Sequence, residues 1–365
     1  MEEHSMADLC ALQQTPLSSP PSSVYTPSQI LTYLHHISFP LPLSFPRNAG
    51  ALVLLHRLQI CTIPYENLSL HYHHRHMNDI DPHALYEKFV SPRGRGGYCF
   101  ETSIFWLNIL RGLGFTAYHS QASIRLRDGP VPKGDFVGPR HVVTIVEFAD
   151  GSRWVTDVGF GGDGMTAPLP LIDAPEDGQY PVHRNLGTQE VRVTRGSLPG
   201  TFARGGQGNQ VWFYEYRNRP GEEWSRYYAF GDHEATSWDL ECANYWVSSH
   251  PGSFQRKQIL AVKFLRDTSQ RAQRDSVGVE GGVDEEGGMD DGTIPAVEIQ
   301  GKIMLAGGTV KRYTGSKTEQ VKTCRTEEER VQAFKDYFGI TLSGEEKDGI
   351  KGFETALQKI TPAEG

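Results

Sequence analysis

Residues 93–105 read RGRGGYCFETSIF: a cysteine directly after a glycine pair and directly before a run with helical spacing. Gly96 and Gly97 allow a sharp bend and a close backbone approach. Phe100, Ile104, Trp106, Leu107, Ile109, Leu110 and Leu113 recur with a helical period, which predicts a helix starting near Cys99 and ending at Gly114. Cys99 then stands at the positive end of that helix. Free backbone N–H groups and the helix dipole favour a thiolate there and lower the thiol pKa below its ordinary value of about 8.5. Such a thiol is a candidate nucleophile. A buried apolar cysteine is the commoner fate of the residue type, so the assignment turns on whether the chain also supplies a base and a group to orient it.

Residues 139–162, PRHVVTIVEFADGSRWVTDVGFGG, supply both. They read as a β-hairpin with His141 opening one strand and Asp157 near the end of the other. A two-residue turn at Asp150 and Gly151 pairs Thr144 with Asp157 and turns His141 to the opposite face. A three-residue loop of Ala149, Asp150 and Gly151, with Gly151 left-handed, pairs Val143 with Asp157 instead. His141 and Asp157 then share a face as diagonal neighbours, roughly 7 to 8 Å apart at the backbone and within side-chain reach. The second register yields a Cys99–His141–Asp157 triad in which Asp157 holds the imidazole tautomer and His141 takes the thiol proton.

Composition bounds the rest. The chain has 365 residues, 38% hydrophobic and 22% charged, enough for a sizeable core and for two or three domains. A formal net charge of -8 argues against a general nucleic-acid surface. Five scattered cysteines (Cys10, Cys61, Cys99, Cys242, Cys324) with no C-x-x-C pair suggest neither a disulfide framework nor a structural zinc, and a cytoplasmic location fits. No apolar run approaches the roughly 20 residues that span a bilayer, so neither an anchor nor a membrane partner is expected.

Along the chain, residues 1–25 are rich in Ser, Pro and Thr and read as a disordered extension. Residues 26–115 read as mainly helical, with one helix behind a Ser28 N-cap and another in AGALVLLHRLQICTIP, stopped by Pro64. Residues 116–232 are rich in short β-branched and aromatic runs, including QVWFYEYR and WSRYYAF. Residues 233–365 are mixed, with strands at QILAVKFL and AVEIQGKIMLAG. The helix at TEEERVQAFKDYF has a Thr326–Glu329 capping box and Val331, Phe334 and Phe338 on one face. The acidic, glycine-rich stretch at about 272–294 cannot bury enough apolar surface to offset its ordering entropy and reads as a long exposed loop. GFGGDG at 159–164 matches a dinucleotide fingerprint only formally, because the prolines after it exclude the required helix. HYHHRH at 71–76 lacks a carboxylate or cysteine at ligand spacing and reads as a solvated loop rather than a metal site.

TIPYENLSL (62–70), RGGYCFE (95–101), HVVTIVEF with DGSRWVTDVGFGG, and NYWVSSHPGSF (244–254) resemble, in order and interval, the arylamine N-acetyltransferase family. The resemblance runs from about residue 28 to 340, and the overall layout is closer to fungal than to animal members. It implies an α+β fold of a helical domain, an antiparallel β-barrel and an α/β lid, with a triad related to that of papain-like and transglutaminase enzymes. By motif, Cys99 is the residue acylated, His141 its base and Asp157 the orienter. Tyr65 is placed near the acceptor pocket, and Glu66 and Arg95 form a structural ion pair. Phe160 is expected to wall the pocket, and Gly159, Gly161 and Gly162 to let the backbone approach CoA. The implied activity moves an acetyl, malonyl or propionyl group from acyl-CoA to an arylamine or hydrazine, with no bound cofactor or metal; a monomer is expected. A thiol hydrolase or transglutaminase-like amidase would use the same triad, and a CoA-binding scaffold would use none of it.

Overall fold

A computed structural model describes residues 22–40, 45–129, 131–173, 175, 177–203, 207–267, 297–315 and 317–357. The acidic glycine-rich stretch and most of the N-terminal extension lie outside them. The end of that extension is anchored, contrary to expectation: Tyr25 is buried and its hydroxyl donates to the Pro82 carbonyl at 2.8 Å.

Helix α1 (Pro27–His36) is capped by Thr26 rather than Ser28. The Thr26 side chain accepts the Gln29 N–H, the Gln29 side chain accepts the Thr26 N–H, and Pro27 enters the first turn, where its missing N–H costs nothing. Then follow α2 (Ala49–Thr62), the two-residue strand β1 (Tyr65–Glu66), α3 (Ser69–Tyr72), α4 (Pro82–Phe89) and α5 (Cys99–Gly112). Helix α5 is buried from Cys99 through Leu107. A helix apolar on nearly every side belongs inside a core, and Leu34, Leu55, Phe89 and Val142 share one with Phe105 and Trp106.

The middle of the chain forms an antiparallel sheet of β2 (Thr116–Asp128), β3 (Val131–Glu147), β4 (Arg153–Thr156), β5 (Leu169–Leu171), β6 (His183–Arg184), β7 (Glu190–Ser197), β8 (Gln210–Arg217) and β9 (Ser225–Phe230). Its order is β5-β4-β3-β2-β9-β8-β7-β6, and β5 comes up against β7, so the sheet nearly closes into a barrel. Alternate residues such as Val143, Ile145, Tyr214, Tyr228 and Phe230 fill its interior.

Beyond it lie α6 (Ser237–Ser249), α7 (Phe254–Lys257), β10 (Leu260–Arg266), β11 (Ile299–Ala306), β12 (Thr309–Thr314), β13 (Lys317–Thr323), α8 (Glu327–Ala333), a π-helical turn at Phe334–Phe338, and α9 (Gly344–Gly349). The second sheet runs β1-β10-β11-β12-β13, so its first strand comes from the segment before α5, with Tyr65 opposite Val262. Thr326 caps α8 as expected. The capping box is only half made, because the Glu329 carboxylate takes the Arg325 N–H at 2.6 Å. No helix among the described residues is long and apolar enough to cross a membrane.

Candidate active site

The hairpin closes through three residues. The Phe148 N–H donates to the Ser152 carbonyl and the Gly151 N–H to the Phe148 carbonyl, each at 2.9 Å, with Gly151 at φ 83°. Strands β3 and β4 pair Thr144 with Thr156 and Glu147 with Arg153, a register that continues to Val143 opposite Asp157. His141 and Asp157 therefore share a face, and both are buried with Nε2 and Oδ2 2.7 Å apart. The other oxygen, Oδ1, accepts the Gly159 N–H at 3.0 Å. With both oxygens engaged, Asp157 sets the rotation of the imidazole.

Cys99 is the first residue of α5, and its Sγ lies 3.9 Å from the Arg140 carbonyl, next to His141 in the chain. One turn on, the Ser103 hydroxyl donates to the Val142 carbonyl at 3.4 Å, seating the helix start against β3. The helix end does not lower the thiol pKa as its position suggests. Burial pushes the Cys99 thiol well up, the Asp157 carboxylate adds to that, and the Phe100 N–H opposes it without prevailing. A thiolate at this depth needs a cation beside it.

The loop after β4 touches each wall of the site in turn. A β-carbon on Gly159 would lie 2.5 Å from the Thr102 hydroxyl and 3.0 Å from the Cys99 Cα. This glycine is thus needed for packing against α5, and its N–H is already committed to Asp157. Phe160 packs edge-on to the His141 ring at 4.9 Å. Gly161 lies against the Tyr65 ring, and Gly162 against Lys302, whose Nζ donates to the Gly162 carbonyl. Tyr65 is held from the far side by Gln255, which donates to its hydroxyl at 2.5 Å. Burial and nearby Cys99 keep the Tyr65 phenol protonated.

Three barrel tyrosines complete the walls and were not singled out from the sequence. Tyr228 packs 5.3 Å from His141 and stacks on Tyr214 at 4.8 Å, while Tyr227 meets Phe160 at 4.6 Å. The signal was the alternation in QVWFYEYR and SRYYAF, which turns Tyr214 and Tyr228 inward as cross-strand partners.

Glu66 and Arg95 form the expected ion pair at 2.8 Å, both buried. Arg95 also reaches Glu346 of α9, and Lys88 bridges to Glu101 at 2.6 Å. The histidine run is less exposed than its composition suggests. His71 is buried in α3, bonded to the Gln255 carbonyl and the Thr355 hydroxyl at 2.9 Å each. No group of His, Cys, Asp and Glu side chains among the described residues is arranged to hold a metal ion.

Residues 50–276 match the N-acetyltransferase family model. The N-malonyltransferase FDB2 of Gibberella moniliformis is 27% identical over 352 residues, covering 89% of this chain and 92% of that protein. The arylamine N-acetyltransferase / N-hydroxyarylamine O-acetyltransferase of Salmonella typhimurium is 30% identical over 228 residues, covering 62% of this chain and 70% of that protein. The structure of Mycobacterium marinum arylamine N-acetyltransferase in complex with CoA aligns with a TM-score of 0.63 at 21% identity, over 89% of this chain and 99% of that one, a likeness of fold. With the family model covering more than half of its length, the chain belongs to the arylamine N-acetyltransferase family, enzymes whose co-substrate is an acyl-CoA.

Proposed function

We propose that the chain moves an acyl group from CoA to an arylamine or hydrazine through an acyl-enzyme at Cys99. The observations that support this reading are a helix-start thiol 3.9 Å from the carbonyl of Arg140, the residue before His141, and a buried His141–Asp157 pair in hydrogen-bond contact at 2.7 Å. Asp157 occupies Nε2, so Nδ1 is the nitrogen that exchanges a proton with Cys99. In the first half-reaction the thiol proton moves to Nδ1 and Sγ attacks the thioester carbonyl. A C–S bond to Cys99 forms, the C–S bond to CoA breaks, and the CoA sulfur leaves with the proton from His141. In the second half the amine attacks the acyl carbon, its proton passes to Nδ1, and the C–N bond forms as the bond to Sγ breaks. Cys99 then recovers the proton.

The acyl-enzyme is exposed to water unless the site is dry. Phe160, Tyr65, Tyr214 and Tyr228 supply an apolar wall that favours the amine over hydrolysis. Phe160 and Tyr65 are the acceptor contacts in this reading, and Gly161 and Gly162 are where the CoA chain runs. Intact-mass measurement after incubation with acetyl-, propionyl- and malonyl-CoA tests it. One acyl adduct, absent in Cys99→Ser and discharged by an arylamine, is expected. No adduct with any donor overturns the reading, and adduct loss at the same rate without amine indicates a hydrolase.

A further inference from the structure

Lys302 of β11 is a nearly buried cation, its side chain 11% exposed, in contact with the loop that walls the site. Its Nζ donates to the neutral Gly162 carbonyl and faces the Tyr313 ring at 5.1 Å. The nearest carboxylate oxygen, Asp163 Oδ1, stands 3.6 Å away. That carboxylate is also held at its other oxygen, by Arg127 at 2.9 Å and by the Tyr227 hydroxyl at 3.1 Å. One acidic group is thus shared between two cations, and Lys302 has the longer contact. Burial lowers the Lys302 pKa and Asp163 only partly offsets it. A lysine placed so deep, with a carbonyl, a ring face and a carboxylate that it shares with Arg127 as its partners, is short of negative charge.

Its place in the fold says where that charge would come from. Gly159 touches the Cys99 backbone, Gly161 touches Tyr65, and Gly162 touches Lys302, so the contacts with Cys99 and with Lys302 lie three residues apart on one loop. Three extended residues span at most roughly 10 Å. A group covalently held on Cys99 and ending in a carboxylate would bring an anion to that loop, whereas an acetyl group offers the ammonium nothing. We infer that Lys302 is a specificity-determining residue for an acyl donor with a terminal carboxylate, of the malonyl-thioester kind. The inference rests on the acyl-enzyme reading above and adds the identity of the acyl group. A phosphate of CoA is the other anion that could meet Lys302. It would be common to all donors, and the two sources are therefore separable.

The test uses single-turnover acylation of the full chain without any amine, followed by intact mass, so acceptor effects do not enter. The wild-type protein is expected to acylate at least tenfold faster with malonyl-CoA than with acetyl-CoA at equal subsaturating concentration. Lys302→Met is expected to lower that ratio at least tenfold, and Lys302→Arg to keep most of it. A wild-type ratio at or below one overturns the inference whether or not the variants fold. An equal loss with both donors in Lys302→Met also overturns it, assigning the lysine to CoA. If no donor acylates Cys99, the acyl-enzyme reading fails, and that outcome is distinct from acylation that ignores the carboxylate.

Discussion

Gly159 and Cys99 are in backbone contact: a β-carbon on the glycine would stand 3.0 Å from both the Cys99 Cα and its carbonyl oxygen. The loop that carries the Asp157 partner and the helix that carries the thiol are spaced by a hydrogen atom. Gly159→Ala is expected to push them apart, costing about 1–3 kcal/mol of stability as an overpacked contact. It should also slow Cys99 acylation at least tenfold. Thermal melting and single-turnover acylation check this, and an alanine variant with wild-type values of both would show that the contact is slack.

Gly151 presents the opposite case, since nothing lies within 4 Å of where its β-carbon would be and only its φ of 83° constrains it. Gly151→Val is expected to cost about 1–3 kcal/mol through left-handed strain. Because the three-residue loop sets which face His141 occupies, activity should fall before the fold is lost. Gly151→Asn, which tolerates this conformation, is expected to retain most of both. Equal loss of activity in the two variants would contradict a backbone origin.

Asp157→Asn keeps the shape and removes the charge that holds the His141 tautomer. In the proposed mechanism the acylation rate should drop on the order of 10³–10⁴-fold while the melting temperature changes little by comparison. Normal single-turnover acylation in a folded Asn variant would reduce the carboxylate to a structural part.

Arg95→Met strands the buried Glu66 carboxylate, leaving Lys88 at 3.9 Å as its cation. A loss of about 3–5 kcal/mol is expected, much of it recovered in the Glu66→Gln/Arg95→Met double variant. Denaturant titration of the three proteins checks both statements.

His56 ties the barrel to α2, with Nδ1 2.8 Å from the Thr156 hydroxyl and Nε2 3.0 Å from the Met165 carbonyl. The carbonyl requires a proton on Nε2, so Nδ1 accepts from Thr156 and the ring is neutral. Burial brings its pKa down to about 4. The unfolded imidazole titrates near 6.5, so between those values the unfolded state binds the extra proton. Stability is complete above pH 6.5 and declines as pH falls toward 4, by on the order of 3 kcal/mol from this group. His56→Gln should flatten that part of the stability–pH curve, and an unchanged slope would assign the acid sensitivity elsewhere.

The parts of the fold legible in the sequence were those with a local cause. Helix α5 announced itself through apolar periodicity, and the hairpin register through the glycine of its turn. Strand β1 had no such signal: two residues gain strand character because Val262 and Ala261 lie beside them on one side and Gly97 on the other. Ser28 looked like a cap because Ser is a good one, yet Thr26 wins by having Pro27 after it and Gln29 at the reciprocating position. At the site, residue types and spacing predicted the contact of His141 with Asp157 but not the burial that raises the Cys99 thiol, since the helix end is visible in one dimension and burial only in three. Lys302 and the tyrosines of β8 and β9 were hidden for the same reason, each being brought to the loop after β4 by a sheet.

The pairing of Tyr65 with Val262 also sets a clock on biogenesis. During synthesis Tyr65 emerges about 200 residues ahead of its strand partner, an interval of roughly 10–40 s at ordinary elongation rates. Through that time the segment leading into Cys99 lacks its partner strand, so the candidate site is assembled late, when β10 arrives to close it. A nascent chain stalled or cut before residue 260 should carry Cys99 on a formed helix yet lack the Tyr65 wall beside it.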